Sequence, residues 1–237
     1  MHHTTQNTSI NKEAGRLQAM QRYADFNLDR EKELNEIVKL ASMICNAPIA
    51  LITLMDKDIQ WIKAKVGADV DQMPRETSFC TYAIETDEVM IVPDATIDPR
   101  FAGAPVVANA PYLRFYASAN LRSYDGFNVG TICVYDLQPR DLTASQSEAL
   151  TALAGQVSHI MELDRALKLL KAQNEALSEI ARIQSHEIRK PVSSIMGIMQ
   201  LIKESAYQPD AEHLQLLELS VGQLDEKIRL IVKETDL

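Results

Sequence analysis

At 237 residues the chain can hold one domain of ordinary size plus an extension. A net charge of -9 and a pI near 5.1 argue against binding nucleic acid or an anionic membrane through a general basic surface. Cys45, Cys80 and Cys133 have no CxxC spacing, so they indicate a reducing compartment and exclude both a disulfide framework and a zinc site.

The polar start MHHTTQNTSIN lacks a signal-peptide core, and no apolar run approaches the roughly 20 residues of a membrane span. A cytoplasmic protein is expected, with residues 1–14 a disordered end in which His2 and His3 are not a metal pair. A short helix is predicted from Gly15 to about Asn27. Asp29 then caps a helix over Arg30–Ile44, whose Leu34, Ile37, Val38, Ala41 and Ile44 share one face. Ile49–Met55 reads as a buried strand, Asp56-Lys57-Asp58 as its turn, and Gln60–Val66 as the hairpin partner. Prolines punctuate the middle of the chain, where a short helix at Ser78–Ile84 and a strand at Val89–Val92 precede a long surface loop from Asp94 to Leu113. Phe115–Leu121 and Val129–Asp136 form a second hairpin across Tyr124-Asp125-Gly126.

Thr143, with Gln146 three residues on, makes a capping-box start for the next helix. From Ala144 to Glu204 only Pro191 interrupts the pattern, so about 60 residues at 1.5 Å each give roughly 90 Å of near-continuous helix. Ile160, Leu163, Leu167, Leu170, Leu177, Ala181 and Ile188 recur alternately four and three apart, with Asn174 and Gln184 in the intervening places. That is a heptad seam, which buries itself against a second copy, and Asn174 at its core fixes the register of a parallel dimer. Ser205–Pro209 makes a turn, and Leu214, Leu217, Val221, Leu224, Ile228 and Ile231 repeat the spacing on a returning helix.

His186 lies five positions past Ala181, so at about 100° per residue it points away from the seam into water, where an imidazole is a nucleophile. Glu187 is placed to orient the ring, and Arg189 and Lys190 carry positive charge beside it. Pro191 has no N–H for the Glu187 carbonyl, costs roughly 3 kcal/mol in a helix interior and bends the helix one turn after the histidine.

Two resemblances follow. The segments PIALITLMDKDIQWIKAKVG, PRETSFCTYAI, VPDATIDPRF, RFYASANL and GTICVYD, in order, resemble a GAF domain. The resemblance implies an α+β fold over 15–160, with a central antiparallel sheet of five or six strands, helices behind it and a ligand pocket opposite. Trp61, Phe79, Cys80, Tyr82, Phe101, Arg114, Phe115 and Tyr116 are the pocket candidates for an unknown small ligand.

His186-Glu187-Ile188-Arg189-Lys190-Pro191-Val192 resembles the H-box of sensor histidine kinases, departing from it at Lys190, where the family usually has Thr or Asn. That resemblance implies a coiled-coil helix over 161–180 and an all-α hairpin over 181–237 that forms a four-helix bundle as a homodimer. His186 would be the phosphoacceptor, Glu187 its acid/base partner, and a receiver domain the recipient. No GxGxxG or P-loop pattern occurs, so the chain binds no cofactor itself, and ATP and magnesium enter only through an ATP-binding domain in cis or trans. The expectation is the sensor and phosphoacceptor portion of a two-component histidine kinase. Its alternative is a non-catalytic dimeric scaffold.

Overall fold

The computed structural model describes residues 2–26, 31–204 and 208–235, which divide into two compact units, Met1–Leu167 and Lys168–Leu237. In the first unit α1 (His2–Gln21) and α2 (Glu31–Cys45) precede β1 (Ile49–Met55), β2 (Ile59–Val66) and β3 (Gln72–Pro74). A 3-10 turn (Arg75–Thr77), α3 (Cys80–Ala83), β4 (Met90–Val92) and α4 (Pro105–Ala108) follow, then β5 (Phe115–Arg122), β6 (Asn128–Asp136) and the long α5 (Ala144–Glu204). In the second unit the rest of α5 and α6 (Ala211–Thr235) form two helices.

The six strands make one antiparallel sheet in the order β3-β2-β1-β6-β5-β4. The near-continuous apolar run of β1 is the mark of a strand covered on both sides, and all but its first residue are buried. Gly130 on β6 sits so close to β1 that a Cβ there would lie 1.9 Å from the Thr53 carbonyl oxygen. Only glycine admits that approach.

Strand alternation divides the interior into two clusters. On the first face Ile52 and Leu54 of β1, Phe115, Ala117 and Leu121 of β5, and Ile132 and Val134 of β6 meet Met20 of α1, Leu34 and Val38 of α2, and Leu150 and Val157 of α5. On the second face Leu51, Met55, Tyr116, Cys133 and Tyr135 meet Phe79 and Cys80 at the start of α3, Phe101 from the middle loop and Val107 of α4. β2 changes phase partway. The register shift against Ile52 and Thr53 loops out Lys63, so Ile62 faces the second cluster and Ala64 the first.

The capping box forms as expected: Gln146 N donates to Thr143 Oγ1 at 3.2 Å, and Thr143 N to Gln146 Oε1 at 3.0 Å. β1 has the expected bounds, and the other predicted strands agree within a residue or so. β3 and α4 were not anticipated. Asp29 and the turn residues 205–207 lie outside the described residues, as do the side chains of Gln184 and Ile231.

Residues 2–14, expected as a disordered end, are helical in α1. Ala19 and Met20 anchor the helix in the first cluster and Glu13 pairs with Arg16, after which propagation toward the N-terminus costs little. The first unit also extends past the expected end at residue 160, because Met161 and Asp164 are still buried. Among the described residues no helix is long and apolar enough to cross a membrane.

Candidate functional site

The middle of the second face is polar, although both of its borders are aromatic or aliphatic. Cys80 opens α3 over the centre of the sheet with its side chain fully buried. Its sulfur accepts hydrogen bonds from Thr131 Oγ1 at 3.2 Å, Tyr116 OH at 3.3 Å and Gln60 Nε2 at 3.5 Å. Cys133 Sγ stands 4.0 Å away and Tyr135 OH 3.9 Å away. Ser78 donates to Gln60 Oε1 in a short contact, and its hydroxyl accepts the Cys80 N–H at 3.0 Å. Thr53 and Thr131 hydroxyls meet at 3.0 Å.

Burial pushes the Cys80 thiol up, but the polar contacts with Cys133, Thr131, Tyr116 and Ser78 outweigh it and hold the thiol below its usual value. Burial raises Cys133, Tyr116 and Tyr135 well above theirs, and the neighbouring sulfurs add to the effect. One sulfur is thereby favoured as the anion within the cluster. Ser118 Oγ, directly across from Cys133 in the β5–β6 register, is buried without a hydrogen-bond partner.

Of the eight pocket candidates, five converge. Phe79 stacks on Phe101 with centroids 4.1 Å apart and tilts against Tyr116 at 5.0 Å, while Tyr82 meets Phe101 edge-on at 5.1 Å, beside Cys80. These rings pack on one another over the cluster. Trp61 and Phe115 lie on the opposite face, a correction that follows from alternation: their neighbours Gln60 and Tyr116 face the cluster, so they cannot. Arg114 is no free clamp. Its guanidinium donates to Val107 O at 2.9 Å and Leu113 O at 3.0 Å and so staples the end of the middle loop.

Gln60, Ser78, Thr131, Cys133 and Tyr135 were missed. The signal was available in GTICVYD, where Thr131, Cys133 and Tyr135 are two apart and therefore share one face.

A second constellation joins the sheet to α5. The tip of the β5–β6 hairpin presents Tyr124, whose N–H donates to Glu162 Oε1 at 2.8 Å and whose ring has the guanidinium carbons of Arg22 and Arg165 each 5.1 Å from its centroid. Tyr23, in the turn after α1, donates its hydroxyl to the same Glu162 oxygen in a short contact. Arg22 takes Asp125 in a two-pronged pair at 2.6 and 2.7 Å.

In the second unit His186 is exposed on α5. Glu187, expected to orient it, pairs instead with Lys227 of α6 at 2.9 Å and more loosely with Lys190 at 3.8 Å. The Lys227 ammonium, with Lys190 behind it, holds the Glu187 carboxyl below its usual range. Arg189 is exposed, Pro191 is buried and Asn174 is exposed.

A six-stranded antiparallel sheet with helices on one face and a roofed polar centre on the other defines the GAF class. A GAF domain model matches residues 29–161, more than half of the chain, and the chain belongs to that family. Over 120 residues it is 42% identical to a cyclic di-GMP phosphodiesterase of Pseudomonas aeruginosa; the match takes in 51% of this chain and 20% of that enzyme's length. Two solved structures share the fold. The GAF domain of a phosphoenolpyruvate-protein phosphotransferase from Coxiella burnetii is 12% identical over 66% of this chain and 96% of its own, with a TM-score of 0.51. Free methionine-R-sulfoxide reductase from Neisseria meningitidis, solved with its substrate, is 16% identical over 63% of this chain and 87% of its own, with a TM-score of 0.50.

These findings correct the histidine-kinase expectation. The family match is to GAF alone, and the relative at 42% identity is a phosphodiesterase. A seven-residue run with an exposed histidine specifies a local helix geometry and not a reaction, and the residue that was to serve the histidine is engaged elsewhere.

Proposed function

We propose that the chain is a regulatory GAF module of a signalling protein, that its second face takes a small ligand, and that the output it controls is cyclic di-GMP turnover. The observation that carries this reading is the buried set of hydrogen-bonding groups around Cys80 beneath α3. A packed core has no need of five polar side chains at its centre, whereas a ligand site has. The ligand is flat and partly polar: it takes the place of the Phe79–Phe101 stack and exchanges hydrogen bonds with Gln60, Thr131 and Tyr116. Tyr116 and Thr131 stand on the two strands whose shared turn holds Glu162, so a shift of β5 against β6 reaches α5 through Tyr124. The identity with the phosphodiesterase supports the choice of output.

The test is a graft. Residues 29–161 replace the matching segment of the Pseudomonas enzyme, and hydrolysis of cyclic di-GMP is followed with and without Phe101→Ala in the graft. A change in rate of at least about threefold, which is under 1 kcal/mol, supports the reading. A graft whose rate ignores every change on the second face sinks it.

We further propose that α5 and α6 pair with those of a second copy as a four-helix bundle. Leu163, Leu167, Leu170 and Leu177 are 52%, 48%, 60% and 66% exposed at heptad spacing, more apolar surface than a helix leaves in water without a partner. Sedimentation is expected to give a dimer that Leu170→Glu with Leu177→Glu dissociates. A monomeric wild-type chain would remove this part of the proposal.

A further inference from the structure

Cys80 and Cys133 come from segments 53 positions apart, yet their sulfurs stand 4.0 Å from each other at the centre of the second face. No disulfide joins them, and Cys45, the remaining cysteine, is buried at the end of α2 on the first face. The two sulfurs are not equivalent. Cys80 accepts from Thr131, Tyr116 and Gln60, whereas Cys133 faces the Leu51 carbonyl oxygen at 3.6 Å and the Tyr135 hydroxyl at 3.8 Å, toward which its own S–H points. Three donors converging on one sulfur stabilise the thiolate, which is the nucleophilic form, while a thiol beside it that gives its proton to oxygen acceptors is the natural second partner.

We propose that Cys80 and Cys133 are a peroxide-reactive dithiol, in which Cys80 is oxidised first and Cys133 resolves it to a disulfide that ties α3 to β6. The inference does not depend on which ligand, if any, the second face takes. In the first step the Cys80 sulfur attacks one oxygen of hydrogen peroxide and the O–O bond breaks. Cys80 becomes a sulfenic acid, and the departing hydroxide takes up the thiol proton and leaves as water. In the second step the Cys133 sulfur attacks the Cys80 sulfur, the S–O bond breaks, and hydroxide leaves with the Cys133 proton as a second water. Two electrons pass from the sulfur pair to the peroxide, and two thiols become one disulfide. Closing 4.0 Å to a bond of about 2 Å shifts the Cys80 side chain, at the start of α3, toward the sheet, since Cys133 stands in a central strand. Oxidation therefore alters the roof of the second face.

The experiment treats the full chain with hydrogen peroxide and maps its peptides by mass spectrometry after blocking free thiols. The expected result is a linked peptide pair containing Cys80 and Cys133, lighter by two hydrogens, with Cys45 still a thiol and reacting at least about tenfold more slowly. Dithiothreitol restores the original masses. In Cys133→Ser a sulfenic acid persists on Cys80 and is captured by a 1,3-dione reagent, and Cys80→Ser leaves Cys133 unreacted. Should either variant fail to fold, the wild-type peptide map decides alone. Oxidation of Cys80 to a sulfinic acid without linkage, equal reaction at Cys45, or three intact thiols in the folded chain would each overturn the proposal.

Discussion

The two faces of the one sheet are built from the same strands in opposite ways. The first is apolar and knitted to three helices, with Leu34, Val38, Ile52, Phe115 and Leu150 wholly buried. The second is aromatic and polar, roofed by a one-turn helix and a loop, and keeps Gln60, Ser78, Thr131, Ser118 and two thiols where a core would have hydrocarbon. The contrast teaches that the first face supplies the stability on which the second depends. Buried polar groups that pay back little on folding persist where a neighbouring core is sufficient.

The strongest blow to this comparison is one that both faces feel. Gly130→Ala puts a Cβ against the Thr53 carbonyl and separates β1 from β6, so a loss of about 4 kcal/mol or more is expected in urea denaturation. Next come two substitutions of similar cost and different consequence. Leu34→Ala and Phe101→Ala should each destabilise by about 3 kcal/mol, but only Phe101→Ala should alter regulation in the grafted phosphodiesterase. If Leu34→Ala altered it equally, the division of labour between the faces would be lost.

A smaller effect, about 1 kcal/mol, is expected when Thr143→Ala removes the cap of α5, and it should leave the cysteine chemistry of the second face untouched. Peroxide linkage of Cys80 to Cys133 at the wild-type rate checks that independence.

The smallest test concerns the strap that joins the two sides around the sheet edge. Glu13 of α1 receives Arg16 at 2.7 Å and Arg75, which leads into α3, at 2.6 Å. Burial raises the Glu13 carboxyl, yet its hydrogen bonds to the two guanidiniums prevail and lower it from 4.5 to about 2. A depressed acid contributes stability that is complete above the unfolded value and lost as pH falls through the folded one. The Tm difference between wild type and Glu13→Gln should therefore be constant above about pH 4.5 and shrink toward pH 2. A difference that does not change over that window would mean the strap is idle.

Much of the first unit was legible in the sequence. Apolar and β-branched runs bounded by turn residues located β1, β2, β5 and β6, and the Thr143–Gln146 pattern located the start of α5, because these are local signals that each strand or helix end carries in itself. β3 is three residues long and has no periodicity to read. Half of the second-face cluster was read from its aromatics. The rest was overlooked because Thr131 and Cys133 look like ordinary strand residues until Cys80 is folded over them.

The function read from His186 is the instructive failure. The heptad arithmetic that exposed it was sound, but the partner assigned to it, Glu187, was taken by Lys227 from a helix forty positions further along.

By itself, then, the chain determined its strand and helix periods, its capped long helix and its family, since these depend on neighbours a few residues apart. Only the tertiary structure decided which side of the sheet Trp61 and Phe115 occupy and which groups surround Cys80. A single looped-out residue, Lys63, reverses a strand's facing, and contacts between segments 36 to 53 positions apart are fixed by packing and not by any local rule.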